Sequence, residues 1–182
     1  LLPTLFVTYT NLDAKVKDAV VNTPSAFTLI DGQTYPLNSL IDISGKTLPY
    51  SPENTLVLGI ENNIIDKFFI RFDYKYVSEV YSDFLNVGKY EGENNNIVSS
   101  IEEYCSDLGI CGPVEEYAII NMSARYEISS KMNVQLSIKN LQDKIYIGSM
   151  LHSSPYKQEA NISSGIITGP RRQINLSIKY LF

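Results

Sequence analysis

The chain has 182 residues, enough for one domain with a buried core, and carries 15 Lys and Arg against 20 Asp and Glu, a net charge of -5. That balance, with no long basic run, argues against a nucleic-acid partner. Apolar residues are 44% of the chain, yet no run of about 18 apolar residues occurs, which excludes a transmembrane helix but not a membrane strand, apolar only at every second position.

Period-two alternation dominates the chain. A first strand, weakly patterned, falls between Leu5 and Val16, with Val7 and Tyr9 on one face and Thr8 and Thr10 on the other. Leu56, Leu58 and Ile60 then alternate with Val57, Gly59 and Glu61. Phe68, Ile70, Phe72, Tyr74 and Tyr76 alternate with Arg71, Asp73 and Lys75. Ala118, Ile120, Met122, Ala124, Tyr126 and Ile128 alternate with Asn121, Ser123, Arg125 and Glu127. Val134, Leu136 and Ile138 alternate with Gln135, Ser137 and Lys139. The cleanest row comes last: Ile174, Leu176, Ile178, Tyr180 and Phe182 face one way, and Gln173, Asn175, Ser177, Lys179 and Leu181 the other, Leu181 alone breaking a fully polar face.

The connections are unequal. Glu61-Asn62-Asn63 and Ser129-Ser130-Lys131 read as short turns, whereas 17–53, 82–113 and 147–170 are long, polar and rich in Asn, Ser, Gly and Pro. Short and long connections alternate, so the tight turns share one end of the sheet and the long loops the other. A turn of helix at Ser99 to Tyr104 is the only helical signal. Cys105 and Cys111 stand close together in a polar loop; in an oxidising compartment they could close a small disulfide, and otherwise they are two free thiols.

Alternation alone fits two architectures. One is an antiparallel sheet with one face on a soluble core; the other is a barrel wall with lipid on its apolar face and an aqueous lumen on its polar face. Three features favour the wall. The chain ends on an alternating strand with a terminal aromatic, Phe182, which looks like the assembly signal of bacterial outer-membrane barrels (Ile174, Leu176, Ile178, Tyr180, Phe182). The polar face is charged in mid-strand, at Arg71, Asp73, Lys75, Arg125, Glu127 and Lys179, a row suited to pairing in a wet interior. Aromatics gather towards both ends: Phe68, Tyr126, Tyr180 and Phe182 at the short turns, and Tyr74, Tyr76 and Tyr146 towards the loops, while Tyr117 has the wrong parity unless a bulge intervenes. Phe68 to Tyr76 spans about 26 Å of strand at ~3.3 Å per residue, or about 20 Å of depth at a tilt of about 40°. Six strands cannot close a lipid-facing barrel, since about eight are needed, and open edges in hydrocarbon leave backbone groups unpaired. The start at Leu1, without an initiator Met or signal-peptide pattern, also reads as an excerpt of a longer chain.

Several stretches resemble the C-terminal barrel of TonB-dependent outer-membrane receptors, in particular the ferric-citrate and siderophore group. LPYSPENTLVLGI (Leu48 to Ile60) is similar to a loop-to-strand segment of that family, EEYAIINMSARYEISSKMNVQLSIKNLQDKIY (Glu115 to Tyr146) to its penultimate hairpin with the Asn-Leu-x-Asp-Lys-x-Tyr pattern, and GPRRQINLSIKYLF (Gly169 to Phe182) to its closing strand. Gln142 stands where the family often has an aromatic. The resemblance implies an all-β, antiparallel, up-and-down transmembrane barrel of which residues 1–182 are the last six or so of 22 strands, with the plug domain and TonB-engaging segment lying outside this chain.

It further implies a non-enzymatic receptor in the outer membrane of a Gram-negative-type bacterium, importing a ferric chelate with TonB-supplied energy. Its partners would be TonB, the chelate, outer-membrane lipid and the barrel-assembly machinery, with no cofactor. Candidate ligand contacts are Arg71, Lys75, Tyr81, Tyr35, His152, Tyr156, Arg171 and Arg172; an anionic chelate favours the Arg and Lys members. The plainer role of each is to pair in the lumen or pack in a loop. His152 beside Met150 is more simply a solvated loop histidine than a metal ligand, and no nucleophile elbow, phosphate loop or zinc spacing occurs. The alternative functions are a soluble lipocalin-like or β-sandwich binding module and a passive outer-membrane porin.

Overall fold

The computed structural model describes residues 2–22, 27–28, 34–35, 40–82, 84, 86, 113–151 and 165–182. Six strands form one antiparallel sheet: β1 (Thr4–Asn11), β6 (Asn54–Ile65), β7 (Phe68–Val77), β8 (Tyr117–Ser129), β9 (Met132–Lys139) and β12 (Gln173–Tyr180), hydrogen-bonded in that order. Three short ribbons sit within the long connections: β2 (Val20–Asn22) with β5 (Leu40–Asp42), β3 (Phe27–Thr28) with β4 (Thr34–Tyr35), and β10 (Ile147–Leu151) with β11 (Gly165–Thr168). No helix occurs among the described residues. The ribbons add to the six strands read from the sequence; ladders of two to five residues are too short to leave a periodic signal.

The register keeps the alternating apolar rows on one face, while Phe6, Val57, Phe69 and Ile119 fall on the other. One rung runs Leu5–Ile60–Phe72–Met122–Ile138–Ile174 across all six strands. The next rungs towards the short turns run Ile70–Ala124–Leu136–Leu176 and Phe68–Tyr126–Val134–Ile178. Because the side-chain period is two, a slip of one residue anywhere would invert a whole strand. The opposite face carries Glu61–Arg71–Ser123–Ser137–Asn175 and Phe69–Arg125–Gln135–Ser177 along its own rungs.

The apolar face has no cover from the described residues. Ile174, Leu176 and Ile178 are 62%, 67% and 62% exposed, and Leu5, Val7, Leu58, Ile60 and Tyr126 are exposed as well. The buried apolar side chains lie instead at the loop end of the sheet: Ile41, Ile43, Val77, Val114 and Met150, the last two fully so. Val80 and Val114 bridge there by reciprocal backbone hydrogen bonds, and the Tyr50 hydroxyl donates to the Met150 carbonyl. A small core therefore ties the bases of the loops together while the strands keep their apolar side chains outward, the reverse of a soluble sheet.

Several boundaries differ from the sequence reading. The first strand stops at Asn11, well before Val16. Strand β6 runs to Ile65, so Asn62 and Asn63 pair with Ile70 and Phe69, and the turn falls at Asp66–Lys67, with Lys67 in a left-handed conformation. A register shift between Asn63 and Ile65 restores apolar parity for Ile65, which pairs with Phe68. At the same end of the sheet β12 stops at Tyr180, and Phe182 lies beyond the strand, packed edge-on against the Tyr180 ring at 5.2 Å. The helical turn expected at Ser99 to Tyr104 and the pair Cys105 and Cys111 lie outside the described residues.

Both aromatic belts are built. At the short-turn end Phe68 and Tyr126 meet at 6.3 Å across a rung. At the loop end Tyr9 and Tyr76 flank Leu56 on one rung, and both phenols meet polar side chains at that end: Tyr9 donates to Asn54 Oδ1 at the start of β6 and Tyr76 to Glu116 Oε2, each at 2.6 Å. An apolar ring below with a hydroxyl anchored above suits a boundary between hydrocarbon and water. Tyr117 and Tyr146 are not in this belt. The β7–β8 register is continuous from Phe68–Tyr126 to Val77–Tyr117, so no bulge intervenes and Tyr117 stays on the polar face. Tyr146 stacks on it there, with ring centroids 4.3 Å apart.

Candidate functional site

The polar face and the loop bases above it hold the residues of interest. Their first cluster centres on Arg71 in β7. Its guanidinium lies 4.1 Å from the centre of the Phe6 ring, 3.7 Å from Glu61 and 3.6 Å from Asp73. Phe6 reaches this position because its rung partner is Gly59, where a Cβ would fall 1.8 Å from the ring. The glycine leaves a gap in the sheet surface that the neighbouring aromatic fills. Arg71 thus has an aromatic face and two carboxylates as partners. Arg125 is similarly engaged, 3.6 Å from Glu127 and 5.7 Å from the Phe69 ring centre.

The second cluster joins the end of β9 to the start of β12. Asn140, 2% exposed, takes a left-handed conformation (φ 50°), which Asn tolerates better than most residues. Its amide nitrogen donates to the carbonyls of Lys144 at 2.8 Å and Pro170 at 3.1 Å, and its Oδ1 accepts from the Lys144 N–H at 2.9 Å. Its own N–H donates to Asn121 Oδ1 at 3.0 Å, and Asn121 Nδ2 donates to Asp73 Oδ2 at 2.8 Å. Three residues on, Asp143 accepts Arg171 Nε and the Arg172 backbone N–H on Oδ1, each at 2.9 Å, and Arg171 Nη2 on Oδ2. Those hydrogen bonds, Arg171 first and the Arg172 N–H next, hold the Asp143 carboxyl well below the usual carboxylate range, and Asp143 raises Arg171 in turn. Tyr146 closes the unit: its ring covers Gly169, where a Cβ would fall 2.1 Å away.

The motifs Asn-Leu-x-Asp-Lys-x-Tyr and Gly-Pro-Arg-Arg, separate in the sequence, therefore form one latch. It ties the end of β9 to the start of β12 at the mouth of the β10–β11 ribbon. Asn140 and Tyr146 were not among the ligand candidates, and Asn121, Asp143 and Gly169 are equally part of the unit. Their signal was present only as the spacing of the two motifs.

The candidate ligand residues do not converge on one point. Arg71 and Lys75 border a recess on the polar face, beneath the latch that engages Arg171 and Arg172. Tyr81 borders a different recess, with Glu53, Glu79 and Glu116, and its carbonyl accepts the Tyr50 N–H at 2.9 Å. Tyr35 lies in β4, paired with Phe27. His152 and Tyr156 lie outside the described residues. Among the described residues no group of three or more His, Cys, Asp or Glu could hold a metal ion.

An antiparallel sheet with an uncovered apolar face between two aromatic belts, a charged opposite face, and all long loops at one end has the design of an outer-membrane β-barrel wall. The solved structures that share this fold are of that kind. Over 98% of its length the chain superposes on the siderophore receptor PiuA from Acinetobacter baumannii with a TM-score of 0.58 at 17% identity, covering 19% of that chain. Over 99% it superposes on the ferric-catecholate import receptor Fiu from E. coli K12 with a TM-score of 0.57 at 18% identity, covering 19% of that chain. The ferric citrate transporter FecA, unliganded, matches over 76% at 15% identity with a TM-score of 0.54. The chain thus spans about one fifth of the length of these structures. These are the receptors whose barrel the sequence motifs resemble, and the likeness is one of fold. No family model and no curated protein matches the sequence.

Proposed function

We propose that the chain is the C-terminal part of the barrel of a TonB-dependent receptor in the outer membrane of a Gram-negative-type bacterium, and that the complete protein imports a ferric chelate without covalent chemistry. The observation that carries this reading is the apolar rung spanning all six strands, uncovered and bounded by tyrosines whose hydroxyls meet polar side chains. Hydrocarbon is the solvent that such a face requires. The siderophore and ferric citrate receptors of the same fold supply the ligand class. Further strands of the polypeptide would pair with β1 and β12, the two edges of the described sheet. The plug, the TonB-engaging segment and the contact with the barrel-assembly machinery belong to this proposal too.

Within this chain, chelate contacts fall to the loop end: Tyr35, His152 and Tyr156 in the long connections, Tyr81 at a loop base and Lys75 below. Arg71, Arg171 and Arg172 are better suited to holding the wall and its loops, because carboxylates already meet their charge. The test is uptake of radioactive ferric citrate and ferric siderophores by iron-starved cells with and without the complete gene. Loss of uptake of one chelate on deletion, and the same loss when a protonophore collapses the inner-membrane gradient, is the expected result. Unchanged uptake of every chelate, with passive entry of small solutes lost instead, would assign the barrel as a porin.

A further inference from the structure

The three long connections, 12–53, 78–116 and 140–172, meet at one short segment, residues 46–50. One edge of this segment is held within its own connection. The Val16 N–H donates to the Lys46 carbonyl at 2.8 Å and the Leu48 N–H to the Ala14 carbonyl at 2.9 Å, on either side of the Lys15–Thr47 bridge. In an antiparallel pair that pattern turns the N–H and carbonyl of Thr47 to the opposite edge. There the side chain of Asn86, from the second connection, takes both. The Thr47 N–H donates to Asn86 Oδ1 at 2.6 Å, and Asn86 Nδ2 donates to the Thr47 carbonyl at 2.9 Å. The amide does what the peptide of a further strand would do. Three residues on, Tyr50 extends the junction in two directions. Its N–H donates to the Tyr81 carbonyl of the second connection at 2.9 Å, and its hydroxyl donates to the Met150 carbonyl of the third, in β10. Pro49 fixes one torsion between Thr47 and Tyr50, and Tyr50 itself is left-handed (φ 57°), so the segment has little slack.

We propose that residues 47–50 are a coupler between loops. A displacement of the second connection passes through Asn86 to Thr47, along the stiff segment to Tyr50, and from the Tyr50 hydroxyl to the β10–β11 ribbon. A solute that engages one loop thereby alters another that it does not touch, which is a coupling between distinct sites. The route works equally in reverse, because linkage has no preferred direction. This inference goes beyond the receptor reading and is independent of what the barrel imports.

The experiment is amide hydrogen exchange, read by mass spectrometry, on the complete purified protein in detergent. Asn86→Gly removes the amide and suits the left-handed backbone at that position (φ 54°). Exchange at Thr47 should rise about two- to tenfold, the range for one lost hydrogen bond. Exchange in β10 and β11, in a different connection, should rise about twofold or more through the coupler. Tyr50→Phe keeps the ring and the N–H bond to Tyr81 and deletes only the tie to Met150. In that background Asn86→Gly should still act at Thr47 and no longer change β10 and β11. A rise that stops at Thr47 in the parent background overturns the coupler, because each bond is then merely local. Transmission to β10 that survives Tyr50→Phe overturns it too, as does an unchanged Thr47 in Asn86→Gly. Should Asn86→Gly fail to fold, Tyr50→Phe alone supplies the reverse test: Thr47 should exchange faster, and an unchanged rate there overturns the proposal. Failure of the coupling leaves the chelate-import reading intact, and absence of import leaves the coupler.

Discussion

The substitution Ile174→Arg separates lipid from water on the apolar face. Ile174 lies on the rung it shares with Ile138, Met122 and Phe72, and Phe72 is midway between Phe68 and Tyr76 of the two aromatic belts. The side chain is 62% exposed. If water covered this face, an arginine there would perturb little, about 0.5 kcal/mol or less for a surface site. In a bilayer the same change near the midplane costs about 2–4 kcal/mol, falling to about 0–1 near the interfaces. At 25 °C that midplane penalty shifts the folding equilibrium by roughly 30- to 900-fold. The assay is reversible denaturant unfolding of the complete protein in phosphatidylcholine vesicles, followed by the mobility shift of the folded barrel on a gel. Tyr180→Arg, on the short-turn belt, should cost less than Ile174→Arg, and Asn175→Arg, on the polar face, should cost close to nothing. Equal stability of all three variants with the parent would refute the lipid assignment.

Further outcomes follow from the polar face and the latch. Asn140→Ala strips two donors and an acceptor from a buried turn in a left-handed conformation, and should cost roughly 2 kcal/mol or more in the same unfolding assay. Asp143→Asn should raise amide hydrogen exchange at Arg172, whose N–H donates to Asp143 Oδ1, and leave the centre of β12 protected. Because the folded Asp143 carboxyl is depressed, its contribution is complete above the ordinary carboxylate range near pH 4 and is lost as pH falls through the lowered value. Exchange at Arg172 should therefore show no contribution from Asp143 titration between about pH 5 and 9, and opening should set in only in strong acid. Gly59→Ala places a methyl into the Phe6 ring and should expel it from Arg71; Phe6→Ala should relieve that clash, so the double mutant is less destabilised than the sum of the singles by about 0.5 kcal/mol or more.

The six strands of the main sheet, their faces and the end-to-end asymmetry were legible in the chain because each depends on local order alone. Alternation at Phe68 to Tyr76 and Ile174 to Tyr180 sets which side chains share a face, whatever the strand pairs with. Boundaries were less legible: Glu61-Asn62-Asn63 has turn composition, yet all three residues pair in the ladder, because β7 opposite them continues to Phe68 and a shift near Ile64 accommodates the odd count. Tyr146 looked like a belt residue by its distance from the strand; outside a strand, however, alternation has no hold on side-chain direction, and stacking on Tyr117 turned it inward.

By itself, the amino-acid order determined a sheet of alternating strands with an unbroken apolar face and loops gathered at one end. These are properties of the two-residue repeat and of connection length. Only the tertiary structure decided which charges are spoken for. Arg71, Arg171 and Arg172 are candidate ligand contacts in the sequence, but carboxylates hold them in the structure: Glu61 on neighbouring β6 and Asp73 on the same strand for Arg71, and Asp143 for the other two, with Glu61 and Asp143 close only once the sheet has formed. The same closure united two motifs 29 residues apart, Asn140 with Gly169 counted from their positions, into a single latch, because a hydrogen bond depends on distance in space and not along the chain.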